Sequence, residues 1–216
     1  MPVLRSILPQ AIESPRLRLR PWSVERVDGW ADVMAANRTF LSRWMVWALD
    51  EPSPPVVARD RFTMFAERFA AGQEWLYAIE SRDGASDLGD VPQPKLLGGI
   101  GAHPRDGSER TEWSADRGVP ETVEVGYWLR EEATGRGICT EAVTALIAAL
   151  RTLGVARIEI RTHPENRPSR AIPRRLGCVL ERVIPDAIQM PGGGTGPAEV
   201  WVVRGKVAEA SSFGKA

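Results

Sequence analysis

The chain is poor in cysteine, poor in histidine and without surplus charge of either sign. Of its 216 residues only 2 are cysteines, Cys139 and Cys178, and they fall in unrelated predicted elements. Neither their number nor their spacing suits a disulfide framework or a zinc site, so a reducing cytoplasm is the expected setting. The 2 histidines, His103 and His163, lack any recognisable metal-ligand companion, and each precedes proline at the end of a predicted strand. They read as structural, and no metal is expected. Lys plus Arg equals Asp plus Glu at 28 each, so no overall field draws nucleic acid or an anionic membrane. No window approaches the roughly 18 apolar residues of a membrane span, and the opening MPVLRSILPQ lacks the apolar stretch of a signal peptide. A soluble, unsecreted, cytoplasmic protein without nucleic-acid or membrane partners is expected, as monomer or homodimer.

What is present is apolar material sufficient for a core: 43% hydrophobic residues, 8 tryptophans and a mean hydropathy of -0.22. This suits one domain over 1–216, with its core at 13–206 and a frayed tail at 207–216. Leu17 and Leu19 alternate with Arg16, Arg18 and Arg20 as in a half-buried strand. Ser23 is placed to cap a helix through about Asn37, and Ser53 before two prolines marks a second, ended by Gly72. Trp75 to Glu80 and Leu96 to Ala102 read as antiparallel strands around a long polar loop, 81–95. A second polar insertion, 104–120, carries Trp113. Strand, helix, strand, short helix and two strands then follow from Thr122 to Val203. The order implies an α/β (α+β) fold: a mixed, mostly antiparallel sheet of about seven strands with helices on both faces.

Between the strand ending at Leu129 and the helix beginning near Gly137 lies Glu131-Glu132-Ala133-Thr134-Gly135-Arg136-Gly137-Ile138. Small residues at a strand-to-helix turn let backbone N–H groups converge on an anion such as a pyrophosphate. Glycines also serve such turns merely by supplying positive φ. A P-loop needs Lys-Ser/Thr where Ile138-Cys139 stands, and a dinucleotide fingerprint needs glycine or alanine where Thr140 stands, so both nucleotide readings fail.

Taken with Glu124-Val125-Gly126-Tyr127-Trp128-Leu129, Thr140-Glu141-Ala142 and His163-Pro164-Glu165-Asn166-Arg167-Pro168-Ser169, this turn resembles the GNAT acetyltransferases, specifically their RimJ/RimL-like branch. The likeness extends over roughly Glu13 to Lys206. It implies a sheet splayed beside the strand ending at Leu129, with the pantetheine of acetyl-CoA, or another acyl-CoA, in the split. The pyrophosphate would lie on Gly135 to Ile138, with Arg130, Arg136, Cys139 and Thr140 around it, and the thioester near Trp128 and Leu129. Asn166 would hold the pantetheine amides. Three positions depart from the family pattern: Glu132 replaces a usual Gln or Arg, Pro173 a tyrosine that protonates the leaving thiolate, and Cys178 a phenylalanine.

The implied reaction acylates a primary amine. An ammonium of pKa near 10 must lose a proton before attacking a thioester, so a base is needed. Glu124, two residues before Gly126, is the expected base, or else a salt-bridged strand carboxylate. Ser169 is the expected proton donor to the thiolate, although Asn-x-x-Ser also makes an ordinary helix cap. Backbone N–H groups near Trp128 to Arg130 would stabilise the oxyanion if the strand bulges there. Cys139, without a nearby histidine, reads as a packed residue rather than a nucleophile. Trp44, Trp47 and Trp113 are candidates for the acceptor site, and Asp50, Glu51 and Glu74 either hold a cationic acceptor or face solvent. The branch implies the N-terminal α-amine of a protein as acceptor. Small amines, antibiotics, succinyl-CoA as donor and a non-catalytic acyl-CoA-binding module are the alternatives.

Overall fold

Alternation in the strands and three-to-four spacing in the helices produce a layered sheet in the computed structural model, which describes residues 8–204 apart from 28, 83–95, 108 and 112. Along the chain come β1 (Ile12–Glu13), β2 (Leu17–Pro21), α1 (Trp30–Leu41), α2 (Pro55–Ala70), β3 (Trp75–Ser81), β4 (Leu96–Asp106) and β5 (Glu109–Arg110). They are followed by β6 (Thr122–Leu129), α3 (Ile138–Leu153), β7 (Arg157–Thr162), α4 (Arg167–Arg175), β8 (Val179–Gln189) and β9 (Thr195–Val202). The sheet order is β1-β2-β3-β4-β6-β7-β9-β8, with β5 added to β4. Only β6 and β7 run parallel, because α3 carries the chain back between them.

Alternation divides the core between the two faces. Leu17, Leu19, Tyr77, Ile79, Val123, Val125, Ile158 and Ile160 point to one face, where Ala142, Val143, Leu146, Ile147 and Leu150 of α3 cover them. Each such aliphatic side chain contributes roughly 1.5–3 kcal/mol by leaving water. On the other face Trp22 and Ala78 pack with Trp30, Met34 and Leu41 of α1 and Ala58 and Phe62 of α2. The α3 helix ends where Gly154 turns left-handed, φ 99, and the Val155 N–H closes on the Leu150 carbonyl at 3.0 Å.

The described residues hold nine strands rather than about seven. The additions, β1 and β5, have 2 residues each, too few to show a period. Ser23 caps nothing: residues 24–26 make one 3-10 turn, and α1 begins only after Gly29, which adopts φ 81. The second helix starts at Pro55, while Ser53 is held by Glu51. The β8–β9 hairpin extends to Gln189↔Thr195, so residues 190–194 make its turn. The loop 83–95 and the tail from 205 lie outside the described residues. No helix among the described residues is long and apolar enough to cross a membrane.

Candidate active site

The sheet opens between β6 and β7. Their parallel pairing runs from Thr122↔Arg157 to Val125↔Ile160 and stops, so Gly126 to Leu129 have no partner on that side. On the other side β6 stays paired with β4 to Gly98↔Leu129 in unbroken register. The bulge that the oxyanion reading required is therefore absent, and simple alternation supplies the donors instead. The Arg130 N–H goes to the Leu97 carbonyl at 2.9 Å, which puts the N–H groups of Leu129 and Tyr127 on the opposite edge, facing the split. The two strands sit close because β4 is glycine here: a Cβ at Gly98 would lie 2.2 Å from the Trp128 carbonyl oxygen.

The turn after β6 is held from both sides. Asn37, buried on α1, accepts the Glu131 N–H at 2.9 Å. Gly135 and Gly137 adopt φ 72 and 73, and a Cβ on Gly135 would meet nothing within 4 Å. Arg16 donates to the Arg136 carbonyl at 3.1 Å and pairs with Glu141 in the first turn of α3 at 2.7 Å. The side chains of Ile138, Cys139 and Thr140 turn inward and are buried, leaving backbone N–H groups to face a ligand at the helix start. Glu132 points outward, half-exposed, and pairs with Arg130 at 2.7 Å. It does not point into the turn. Burial pushes the Cys139 thiol well above its ordinary range and Cys178 up to about 11, so neither is a ready nucleophile.

Across the split stands the start of α4. Asn166 caps it, its side-chain oxygen accepting the Ser169 N–H at 3.2 Å. Pro173 has no N–H to return to the Ser169 carbonyl four residues back. The Tyr127 hydroxyl supplies the missing donor, reaching that carbonyl at 3.0 Å from β6. The Ser169 hydroxyl lies 3.4 Å from the Tyr127 oxygen and donates to it. Burial raises the Tyr127 phenol far above its usual range, so it stays protonated. Tyr127 thus stands in for the backbone donor that Pro173 lacks, a contact that the sequence reading did not foresee.

Glu124 is not free. Arg105 hydrogen-bonds one carboxylate oxygen, Arg110 the other at 2.8 Å, and Arg161 stands 3.7 Å away. Burial alone would raise this carboxyl, but the charge and hydrogen bond of Arg110, with His103 and Arg105 behind, hold it below the ordinary carboxylate range. A carboxylate so held is a weak proton acceptor, and its surroundings suit the salt-bridged reading of Glu124, an ion-pair anchor. Arg105 and Arg161 come from β4 and β7, so no local sequence signal announces the cluster.

The aromatic candidates separate. Trp47 packs edge-on against Trp128 at 5.7 Å, and Trp44 lies 5.4 Å from His163, at the end of β7. Both overlie the open end of the sheet. Trp113 does not join them: it belongs to its own insertion, donating to the Gly118 carbonyl at 2.9 Å beneath Arg117. Glu51 is buried and bound by Arg61, Trp30 and Ser53, so it is no acceptor contact. Glu74 hydrogen-bonds Nδ1 of His103. No cluster among the described residues is placed to hold a metal ion.

Residues 16–179 match the family model described as Acetyltransferase (GNAT) domain. The "Putative ribosomal N-acetyltransferase YdaF" of Bacillus subtilis (strain 168) is 28% identical over 175 residues, 81% of this chain and 82% of that protein. Among solved structures, RimL, a ribosomal L7/L12 alpha-N-protein acetyltransferase in complex with coenzyme A, superposes with a TM-score of 0.69 at 19% identity, over 91% of this chain and 96% of that one. Mycobacterium smegmatis RimJ in complex with CoA-disulfide gives 0.71 at 18%, over 96% and 91%. With the family model spanning most of its length around a split sheet and a glycine turn, this chain belongs to the GNAT acetyltransferases.

Proposed function

We propose that the protein transfers an acetyl group from acetyl-CoA to the N-terminal α-amine of a protein. The observation that carries the reading is the unpaired Gly126–Leu129 edge beside a turn whose two glycines open a 16-residue helix. The residues present fit the cosubstrate: Gly135 leaves open space above the turn, and the buried Thr140 hydroxyl has no hydrogen-bond partner among the described residues. The N–H groups of Gly135 to Thr140 would hold the pyrophosphate, helped by Arg136 and the helix dipole. Asn166 and the β6 edge would hold the pantetheine, with Trp128, Leu129 and Arg130 beside it. Acetyl-CoA supplies a thioester carbon open to nucleophilic attack.

The chain's own groups do the rest. The outward N–H groups of Tyr127 and Leu129 orient and stabilise the carbonyl oxygen as charge gathers on it. Ser169 holds its hydroxyl proton on the Tyr127 oxygen at the α4 start and would turn it to a departing sulfur. Trp44 and Trp47 cover the open end and exclude water from it. A protein amine as acceptor is supported by the relatives, named for ribosomal proteins. Mass spectrometry after incubation with acetyl-CoA or succinyl-CoA and a panel of peptides, polyamines and aminoglycosides tests this. One acetyl group on a peptide α-amine is expected; modification of the small amines alone sinks the acceptor assignment. Gly135→Glu should abolish CoA binding in calorimetry, and wild-type affinity in that variant would show the pyrophosphate to be misplaced.

A further inference from the structure

We infer that His103, oriented by Glu74, is the general base that deprotonates the acceptor amine. This rests on the acetyltransferase reading above and names a group within that site. His103 lies on β4 opposite Glu124, on the face covered elsewhere by α1 and α2. Its Nδ1 is held by the Glu74 carboxylate. Its Nε2 has no hydrogen-bond partner among the described residues and hangs over a floor made of two facing glycines, Gly101↔Gly126. A Cβ on Gly101 would come within 2.8 Å of Nε2, and one on Gly126 within 3.6 Å. The side chain missing at Gly101 leaves the imidazole and Leu76 their positions, and above Gly126 nothing but the imidazole comes within 4 Å of a Cβ. Gly126 is also the first β6 residue beyond the last β6–β7 pair. The unengaged nitrogen of this imidazole therefore stands where the sheet opens, on the face from which an amine can approach a thioester lying in the split.

The charges around it fit the task. Glu74, from the α2–β3 connection, is backed by Arg68 at 3.7 Å, and Arg110 of β5 lies near enough to act on its charge. Burial would raise the Glu74 carboxyl, but the hydrogen bond from His103 and the charge of that ring when protonated, then Arg110 and Arg68, hold it below its ordinary range. It remains an anion, which fixes the Nδ1–H tautomer and stabilises the imidazolium once formed. Across the floor, Glu124 is saturated by Arg105, Arg110 and Arg161 and does not compete for the proton. In the reaction Nε2 takes one proton from the R–NH3+ acceptor. The freed nitrogen pair forms the C–N bond as the C–S bond breaks and its electrons leave on sulfur. Of the two protons left on nitrogen, one stays in the amide and one balances the thiolate, delivered through Ser169, while His103 returns its own to solvent.

The test uses the full chain, acetyl-CoA and a peptide with a free N-terminus, following rate against pH and CoA affinity by calorimetry. His103→Gln should lower kcat by about 100- to 10,000-fold, the range of a lost general base, with CoA affinity within about twofold of wild type. The deficit should shrink as pH rises towards the amine's own pKa, near 8 for a peptide N-terminus, and added imidazole should restore rate to His103→Ala. Glu74→Gln, which keeps His103, should move the acid limb of the kcat/KM profile and lower kcat by a smaller factor. If His103→Gln fails to fold, the Glu74→Gln profile decides: an unmoved limb overturns the inference. Wild-type turnover and profile in His103→Gln would overturn the assignment alone. A wild-type protein that binds CoA yet acetylates no amine would overturn both this and the parent reading.

Discussion

Glu124→Gln separates an anchor from a base. The substitution keeps the shape and one acceptor oxygen but removes the negative charge that both Arg105 and Arg110 bond. Breaking a buried ion pair from one side costs about 3–5 kcal/mol, because the remaining charge stays buried. At about 2–4 °C per kcal/mol for a chain of this size, the melting temperature should fall by about 6–20 °C. The sign of the pH dependence follows from the direction of the shift. A carboxyl whose folded pKa is depressed contributes stability that is fully present above its unfolded value, near 4.3, and is lost as pH falls through the folded value. The gap between wild type and variant should therefore be widest at neutral pH and close in acid. Denaturant melts from pH 7 down to about 3 measure it, alongside acetyl transfer at a temperature well under both transitions. The transfer rate there should drop less than about tenfold, against the 100-fold or more of a lost base. A stability difference under about 1 kcal/mol, or one constant with pH, would refute the anchor account.

Two further substitutions probe the split. Gly98→Ala places a methyl 2.2 Å from the Trp128 carbonyl oxygen, and overpacking of this kind costs about 1–3 kcal/mol; thermal unfolding should shift accordingly, and wild-type stability would mean β4 and β6 are farther apart. Tyr127→Phe strands the Ser169 carbonyl and unties the serine hydroxyl, so stability should fall by about 1–2 kcal/mol and kcat should fall more than KM rises. Equal loss in the two kinetic constants would remove Tyr127 as the group that positions Ser169.

What the sequence showed was whatever is local. The strand, glycine turn and helix from Glu124 to Leu153 could be read because alternation, positive-φ glycines and an apolar stripe lie within one stretch of chain. The two readings of Glu124 could not be separated in the sequence because its partners come from β4, β5 and β7, which only the folded sheet gathers. His103 and Glu74 are 29 residues apart and meet only when β3 and β4 pair. The Arg16–Glu141 clamp spans 125 residues, and Asn37 gave no hint that its side chain would receive the Glu131 N–H from across the fold. Glu132, in place of the usual Gln or Arg, turns outward to Arg130, and sequence shows a charge but not its direction.

Pro173 and Tyr127 form one unit of hydrogen-bond demand and supply. An ordinary residue at 173 would bring its own N–H to the Ser169 carbonyl and dismiss the phenol; proline creates a debt of one donor that only a hydroxyl from the opposite lip can meet. In relatives, the two positions should therefore change together, tyrosine on the strand accompanying proline in the helix. Within this chain the same bond, with the Ser169 hydroxyl's own bond to the phenol oxygen, is a rung joining the two lips of the seam, so anything entering it must slip past that rung or break it.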